Sequence, residues 1–230
     1  MATINLFGAS GHAKVIMDII EAQGDAVGVL YDDAPRVDCI HGHRVVCASL
    51  EQPVGALIIS IGSNAARCAV ANRLNAEFAT AIHPRAIVSP SATVGCGSVV
   101  MQGAIIQADT AIGRHCIINS GASVDHECRI ADFVHISPHA TLCGNVSVGL
   151  GSWVGAGATV IPGITIGRNC IIGAGATVIR NIPDGAVAVG SPAKIIKYNS
   201  MNFSNLHVRG GGNLHTFARL CCLKPIDYAA

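Results

Sequence analysis

An aliphatic residue recurs at every sixth position through the second half of the chain: Val88, Val94, Val100, Ile106, Ile112, Ile118, Val124, Ile130, Ile136, Leu142, Val148, Val154, Val160, Ile166, Ile172 and Val178. Self-similarity at a fixed period is the mark of a repeat architecture. Two residues before these positions stands a mostly small residue: Ala86, Ala92, Ser98, Ala104, Thr110, Cys116, Ala122, Cys128, Ala140, Ser152, Ala158, Cys170 and Ala176, with Val134, Val146 and Ile164 as exceptions. In a strand, positions i and i−2 point to the same face, so each hexad turns one large and one small group inward and then rounds a corner. Glycine follows the aliphatic residue at Gly95, Gly113, Gly149, Gly155, Gly167 and Gly173. There it is expected to serve a turn with unusual backbone angles.

A period of six is not a helical stripe, and one straight strand of this length would exceed anything usual in globular proteins. The chain must coil. The pattern resembles the hexapeptide-repeat family, and that resemblance implies a left-handed parallel β-helix with three hexads per triangular turn. Residues 18 apart would then stack at about 4.8 Å, and the hexads would make about five coils, each burying its neighbours.

The first part of the chain reads differently, as strand and helix in alternation. Thr3–Phe7 is a short apolar strand, Gly8 to His12 a tight loop, and Ala13–Ala22 a helix with Val15, Ile16, Ile19 and Ile20 on one side. A second strand, Ala26–Tyr31, runs into Asp32 and Asp33, and a third, Ala56–Ile61, runs into Gly62, Ser63 and Asn64 before another helix. This is a small Rossmann-like β-α-β unit, in which loops at the carboxyl ends of parallel strands bind ligands. Gly8 and Gly11 lack the full dinucleotide fingerprint, so a phosphate-holding loop and a bare turn both account for them. Asp32, 24 residues after Gly8, stands where an acidic residue would meet a ribose or base, or forms an exposed turn with Asp33. The expected organisation is an α/β domain at 1–80, a β-helix at 81–197 and a tail at 198–230 without hexads.

Composition narrows the function. The formal net charge is +1 and no Lys/Arg block occurs, which speaks against a nucleic-acid polymer as partner. No stretch approaches the roughly 20 apolar residues needed to span a bilayer and no basic-then-apolar leader opens the chain, so membrane insertion is not expected and the location is expected to be cytoplasmic. The ten cysteines include no C-x-x-C pair. Cys116, Cys128 and Cys170 fall instead on the small inward position of the hexad, as small buried apolar groups.

Candidate chemistry concentrates in Asp125-His126-Glu127. An imidazole flanked by carboxylates can be held in one tautomer with raised basicity, as a general base near neutral pH requires. A solvated wall residue and a metal ligand are the other readings of His126, although the spacing provides no convergent third ligand. Under a three-hexad turn Gly144 stacks on His126 and offers a backbone N–H as an oxyanion donor for acyl transfer. His135 lies nine residues on, half a coil away, so the two histidines can share a site only across a subunit boundary. His83, His115 and His139 are read as structural.

Taken together, Gly8-Ala-Ser-Gly-His12-Ala-Lys-Val15, Tyr31-Asp-Asp33, Ile61-Gly-Ser-Asn64, Ile82-His-Pro84, Val124-Asp-His-Glu-Cys128, His135-Ile-Ser137, Gly144-Asn145 and Gly190-Ser-Pro-Ala-Lys194 make the resemblance more specific. Over about residues 3 to 197 the chain resembles bacterial nucleotide-sugar N-acetyltransferases of the bacillosamine-pathway type and the related sialic acid O-acetyltransferases. That resemblance implies a UDP-linked amino sugar and acetyl-CoA as substrates, a homotrimer and no metal. It implies His126 as general base, Glu127 orienting it and Asn119 placing the acceptor. It further implies sugar-nucleotide contacts from Gly11, His12, Asp32, Asp33, Gly62 and Asn64, and acetyl-CoA contacts from His135, Gly144, Gly173 and Lys194. O-acetylation of a sialic acid or similar sugar is the alternative activity.

Overall fold

The computed structural model describes residues 1–199. The tail expected at 198–230 therefore lies almost wholly outside the described residues. The N-terminal part comprises β1 (Thr3–Phe7), α1 (Gly11–Ala22), β2 (Ala26–Asp32), β3 (Cys39–Ile40), β4 (His43–Cys47), β5 (Ala56–Ile59), α2 (Asn64–Arg73) and β6 (Glu77–Phe78). They form one sheet in the order β3-β4-β2-β1-β5-β6, parallel except for the β3/β4 hairpin. The hairpin is absent from the sequence reading. Helix α1 also starts two residues earlier than expected, so that Gly11 and His12 belong to its first turn.

From β7 (Ala81–Ile82) to β23 (Thr177–Val178) the chain lays down a two-residue strand per hexad. These strands pair in parallel at a register of 18 residues, for example Val99 with Ile117 and Ile117 with His135. Three sheets result, one for each side of the prism. The far end is closed by β24 (Ala186–Val189) and β25 (Lys194–Tyr198), an antiparallel pair. Fifteen of the sixteen hexad aliphatics are buried inside, and Val94, near the first coil's open end, is partly so. Each fully buried aliphatic contributes about 1.5–3 kcal/mol, which is the source of the fold's stability. Cys116, Cys128 and Cys170 are buried at 0–1% exposure among them, and burial pushes the Cys116 thiol up to about 12.

The corners correct one expectation. Gly95, Gly113, Gly149, Gly155, Gly167 and Gly173 do not carry the positive φ. That angle falls two positions later, at Gly97, Gly103, Gly121, Gly151, Gly157, Gly163 and Gly175, and at Asp109, His115, Glu127, Phe133, His139, Asn145 and Asn169. Glycine after the aliphatic residue answers to space instead: a Cβ on Gly95 would lie 2.7 Å from the Gly113 backbone, and one on Gly149 2.6 Å from Gly167. Stacked coils approach too closely there for any side chain.

One side of the prism carries the α/β domain. The outward residues of its sheet run Ala81, Val99, Ile117, His135, Trp153, Ile171. The first three are buried under Ile16, Met17, Ile19 and Ile20 of α1. Cover ends at His135, and Trp153 is 47% exposed. The ladder changes from apolar to aromatic and polar where the docked domain stops.

Candidate active site

The loops facing this edge are tightly built. Gly8, at φ +114°, has no room for a side chain, since a Cβ would meet Ile61 Cγ1 at 2.8 Å and Ser60 O at 3.0 Å. Asp32 holds the loop after β1 by accepting from the N–H of Ala9 (2.8 Å) and also accepts from Ala34 N–H (2.9 Å). Asp33 pairs with Arg73 at 2.9 Å. Both carboxylates thus have protein partners. Asn64 is more fully engaged: its Nδ2 donates to Gly151 O (3.0 Å) and Ser152 O (3.1 Å), and its Oδ1 accepts from Arg67 (2.8 Å). Gly11 and Gly62 are exposed.

His12, in the first turn of α1, and His135, on the β-helix, both lie near the junction of the two parts. Burial, with the nearby Arg67 charge, lowers His12 to about 4, and its Nε2 is buried without a hydrogen-bond partner. Burial lowers His135 to about 3, helped by Arg67 and His12. Asn119 Nδ2 lies 3.0 Å from His135 Nε2, and Asn119 Oδ1 accepts from Ser120 N–H at 2.8 Å. That second bond fixes the amide, so Nδ2 donates and His135 Nε2 accepts, leaving the imidazole proton on Nδ1. Trp153 stacks parallel to His135 with ring centroids 5.8 Å apart, its indole N–H donating to Ser137 Oγ at 2.6 Å. Within one chain Asn119 therefore stands with His135, and His126 stands on a different corner.

His126 follows the strand Ser123–Val124, on the next side of the prism. Its Nδ1 lies 3.1 Å from Glu127 Oε2, while Asp125 accepts from the His126 backbone N–H at 2.8 Å instead of touching the ring. An ionised Glu127 keeps the proton on Nδ1, which leaves Nε2 free to accept one. Both side chains are more than half exposed, so this pair orients the ring and adds little stability. The stacking on Gly144 is present: a Cβ there would lie 2.5 Å from both Cε1 and Nε2 of the imidazole. Among the described residues no acceptor is paired with the Gly144 N–H. Gly173 and Lys194 lie towards the capped end, where Gly173 closes on Val189 and Lys194 is exposed beside it.

Two further residues stand at the junction that no motif in the sequence announces, Arg67 and Trp153. Arg67 falls on the apolar side of α2 with Cys68 and Val70, an unusual place for a cation. Trp153 continues the outward ladder of every third hexad.

This architecture is that of a hexapeptide-repeat β-helix carrying an α/β domain. Residues 3–74 match the family model described as PglD N-terminal domain, and 145–180 match that of bacterial transferase hexapeptide (six repeats). A mutant of perosamine N-acetyltransferase from Caulobacter crescentus, solved with CoA and GDP-perosamine, is 40% identical with a TM-score of 0.81, over 85% of this chain and 97% of that one. The acetyltransferase domain of PglB from Neisseria gonorrhoeae FA1090, solved with acetyl coenzyme A, is 35% identical with a TM-score of 0.79, over 84% and 98%. UDP-N-acetylbacillosamine N-acetyltransferase of Bacillus subtilis (strain 168) is 45% identical over 112 residues, 44% of this chain, and the match spans about half, 52%, of that relative's length. The chain belongs to the nucleotide-sugar N-acetyltransferases of the hexapeptide-repeat family. No helix among the described residues is long and apolar enough to cross a membrane.

Proposed function

We propose that this protein transfers the acetyl group of acetyl-CoA to the amino group of a UDP-linked amino-deoxy sugar, a UDP-4-amino-4,6-dideoxy sugar, with His126 as general base. The observation that carries the reading is the His126 imidazole, held at Nδ1 by Glu127 and laid over the bare Cα of Gly144. The sugar amine attacks the thioester carbonyl only when neutral, and as its N–C bond forms His126 Nε2 takes the N–H proton. The Gly144 N–H is, in this reading, the donor that receives the developing oxyanion. Collapse breaks the C–S bond, and the departing thiolate takes the proton back from the imidazolium. Neither a metal nor a covalent enzyme intermediate enters this sequence.

The same reading makes the working unit a homotrimer. His12, Asn119 and His135 stand on one side of the prism and His126 on the next corner, so a neighbouring copy is needed to complete one site from both groups. A GDP-linked amino sugar is the second reading, favoured by the GDP-perosamine held by the relative that matches over most of this chain.

The test is to mix the protein with acetyl-CoA and either UDP- or GDP-4-amino-4,6-dideoxy sugar and to follow free thiol. Release with one of them is expected, and no release with any amino sugar would sink the reading. A sialic acid as sole productive acceptor would move the assignment to O-acetylation. His126→Ala should lower turnover about 100-fold or more. A loss of only a few fold would remove His126 as the base.

A further inference from the structure

Arg67 is 1% exposed, and among the described residues no carboxylate accompanies it. Its guanidinium donates five hydrogen bonds. Nε reaches His115 O (2.7 Å), Nη1 reaches Ile61 O (2.9 Å) and Gly62 O (3.2 Å), and Nη2 reaches Asn64 Oδ1 (2.8 Å) and Phe133 O (3.2 Å). Two acceptors, Ile61 and Gly62, belong to the connection between β5 and α2, one is Asn64 at the start of α2, and two belong to the β-helix. The β-helix acceptors are corner residues one coil apart, both at positive φ. Asn64 extends the column by one more coil, donating to the carbonyl of Gly151, which is 18 residues beyond Phe133.

Burying a cation without a counter-ion is costly, and an apolar side chain of similar volume would commonly stabilise a fold as well or better. A lysine has three donors and no planar fork, so it cannot satisfy five acceptors in this geometry. What the arginine supplies beyond stability is a fixed relation between one loop of the α/β domain and successive coils. We propose that Arg67 is a positioning residue of the active site, locking the segment from Ile61 to Asn64, at the start of α2, to the corners at His115 and Phe133 so that the nucleotide-sugar end stands in a set place relative to His135. This rests on the reading above that the loops after β1 and β5 face the nucleotide sugar. The lowering of His12 and His135 by the same guanidinium agrees with its lying between the two halves.

The test compares wild type, Arg67→Lys, Arg67→Met and Asn64→Ala. Amide hydrogen exchange by mass spectrometry reads segment 60–64 directly, and calorimetric titration with UDP, GDP and CoA reads the consequences. Arg67→Lys should fold, exchange at 60–64 about tenfold faster or more, and bind its preferred nucleoside diphosphate about tenfold more weakly while CoA affinity stays within twofold. Arg67→Met should show a larger effect in the same direction, and Asn64→Ala a smaller one. A residue that only held the fold together would lower the melting temperature without this selective loss. Equal weakening of CoA and nucleotide, unchanged exchange at 60–64, or global unfolding of Arg67→Lys would each overturn the proposal. Wild type that binds neither UDP nor GDP would sink the nucleotide reading itself, and the exchange data would still decide whether Arg67 locks the loop.

Discussion

Gly144→Ala isolates the geometry on which the proposed chemistry depends. The new methyl group would lie 2.5 Å from both Cε1 and Nε2 of His126 and 3.2 Å from Nδ1. Ordinary carbon contacts sit near 3.5–4.0 Å, so the ring must retreat by about 1 Å or rotate away. It can do so without unfolding anything, because the His126 side chain is 56% exposed. The backbone also tolerates the change, since Gly144 is not among the glycines at positive φ. Where native angles are compatible, Gly→Ala stabilises by about 0.4–1 kcal/mol through the unfolded chain. The melting temperature should therefore hold or rise slightly. Turnover should fall about 100-fold, the usual scale for a 1 Å misplacement of a catalytic group. Thiol release from acetyl-CoA at saturating amino sugar measures this, with CoA affinity titrated separately. Activity within threefold of wild type would refute the placement of His126 over Gly144 as the working arrangement.

Three further outcomes rest on burial, exposure and ring stacking in turn. His12, His115 and His135 are neutral in the fold, lowered by burial first and by Arg67 next, to about 4, 3 and 3. The unfolded chain binds their protons near pH 6.5, so stability is full above that value and is lost as pH falls towards 4, by up to about 1.4 kcal/mol per pH unit for each histidine; a melting temperature flat from pH 7.5 to 5 would contradict this. Among Cys39, Cys47, Cys116, Cys128 and Cys170, peptide mapping after brief iodoacetamide treatment should find label on exposed Cys39 and on Cys47, whose thiol is lowered chiefly by its Ser49 hydrogen bond. Early label on Cys116 would mean the coils open readily. Trp153 is the chain's single tryptophan and stacks on His135, so its emission should change when a ligand enters that edge, and constancy with CoA and with both nucleoside diphosphates would place their contacts elsewhere.

The β-helix was legible because its burial is local: each hexad declares which residue goes in, and the 18-residue register follows once the coil is three-sided. Corner glycines were misread because sequence does not separate a need for positive φ from a need for space. Gly95 and Gly97 stand two residues apart and answer to different constraints. Coil position tells which residues touch, whereas a role implied by resemblance does not. Gly144 and His126 met as the stacking required, whereas Asn119, only seven residues before His126, turned out to bond His135, 16 residues on. Arg67 was invisible for a related reason. An arginine on a helix reads as solvent-facing, and its β-helix partners are carbonyls 48 and 66 residues away, which carry no side-chain signature.

The outward ladder Ala81, Val99, Ile117, His135, Trp153, Ile171 bears on how this protein could grow or shrink. A coil bonds only to the coils before and after it, so an 18-residue duplication near Val178 would lengthen the prism by about 4.8 Å and leave every junction contact in place. One unrelated 18-residue coil inserted between Asn119 and His135 would instead lift His135 and Trp153 one level further from α1 and part Asn119 from its histidine. Length is therefore a free variable at the capped end and a fixed one beneath the α/β domain, which makes the lower rungs of the prism a gauge for where the site begins.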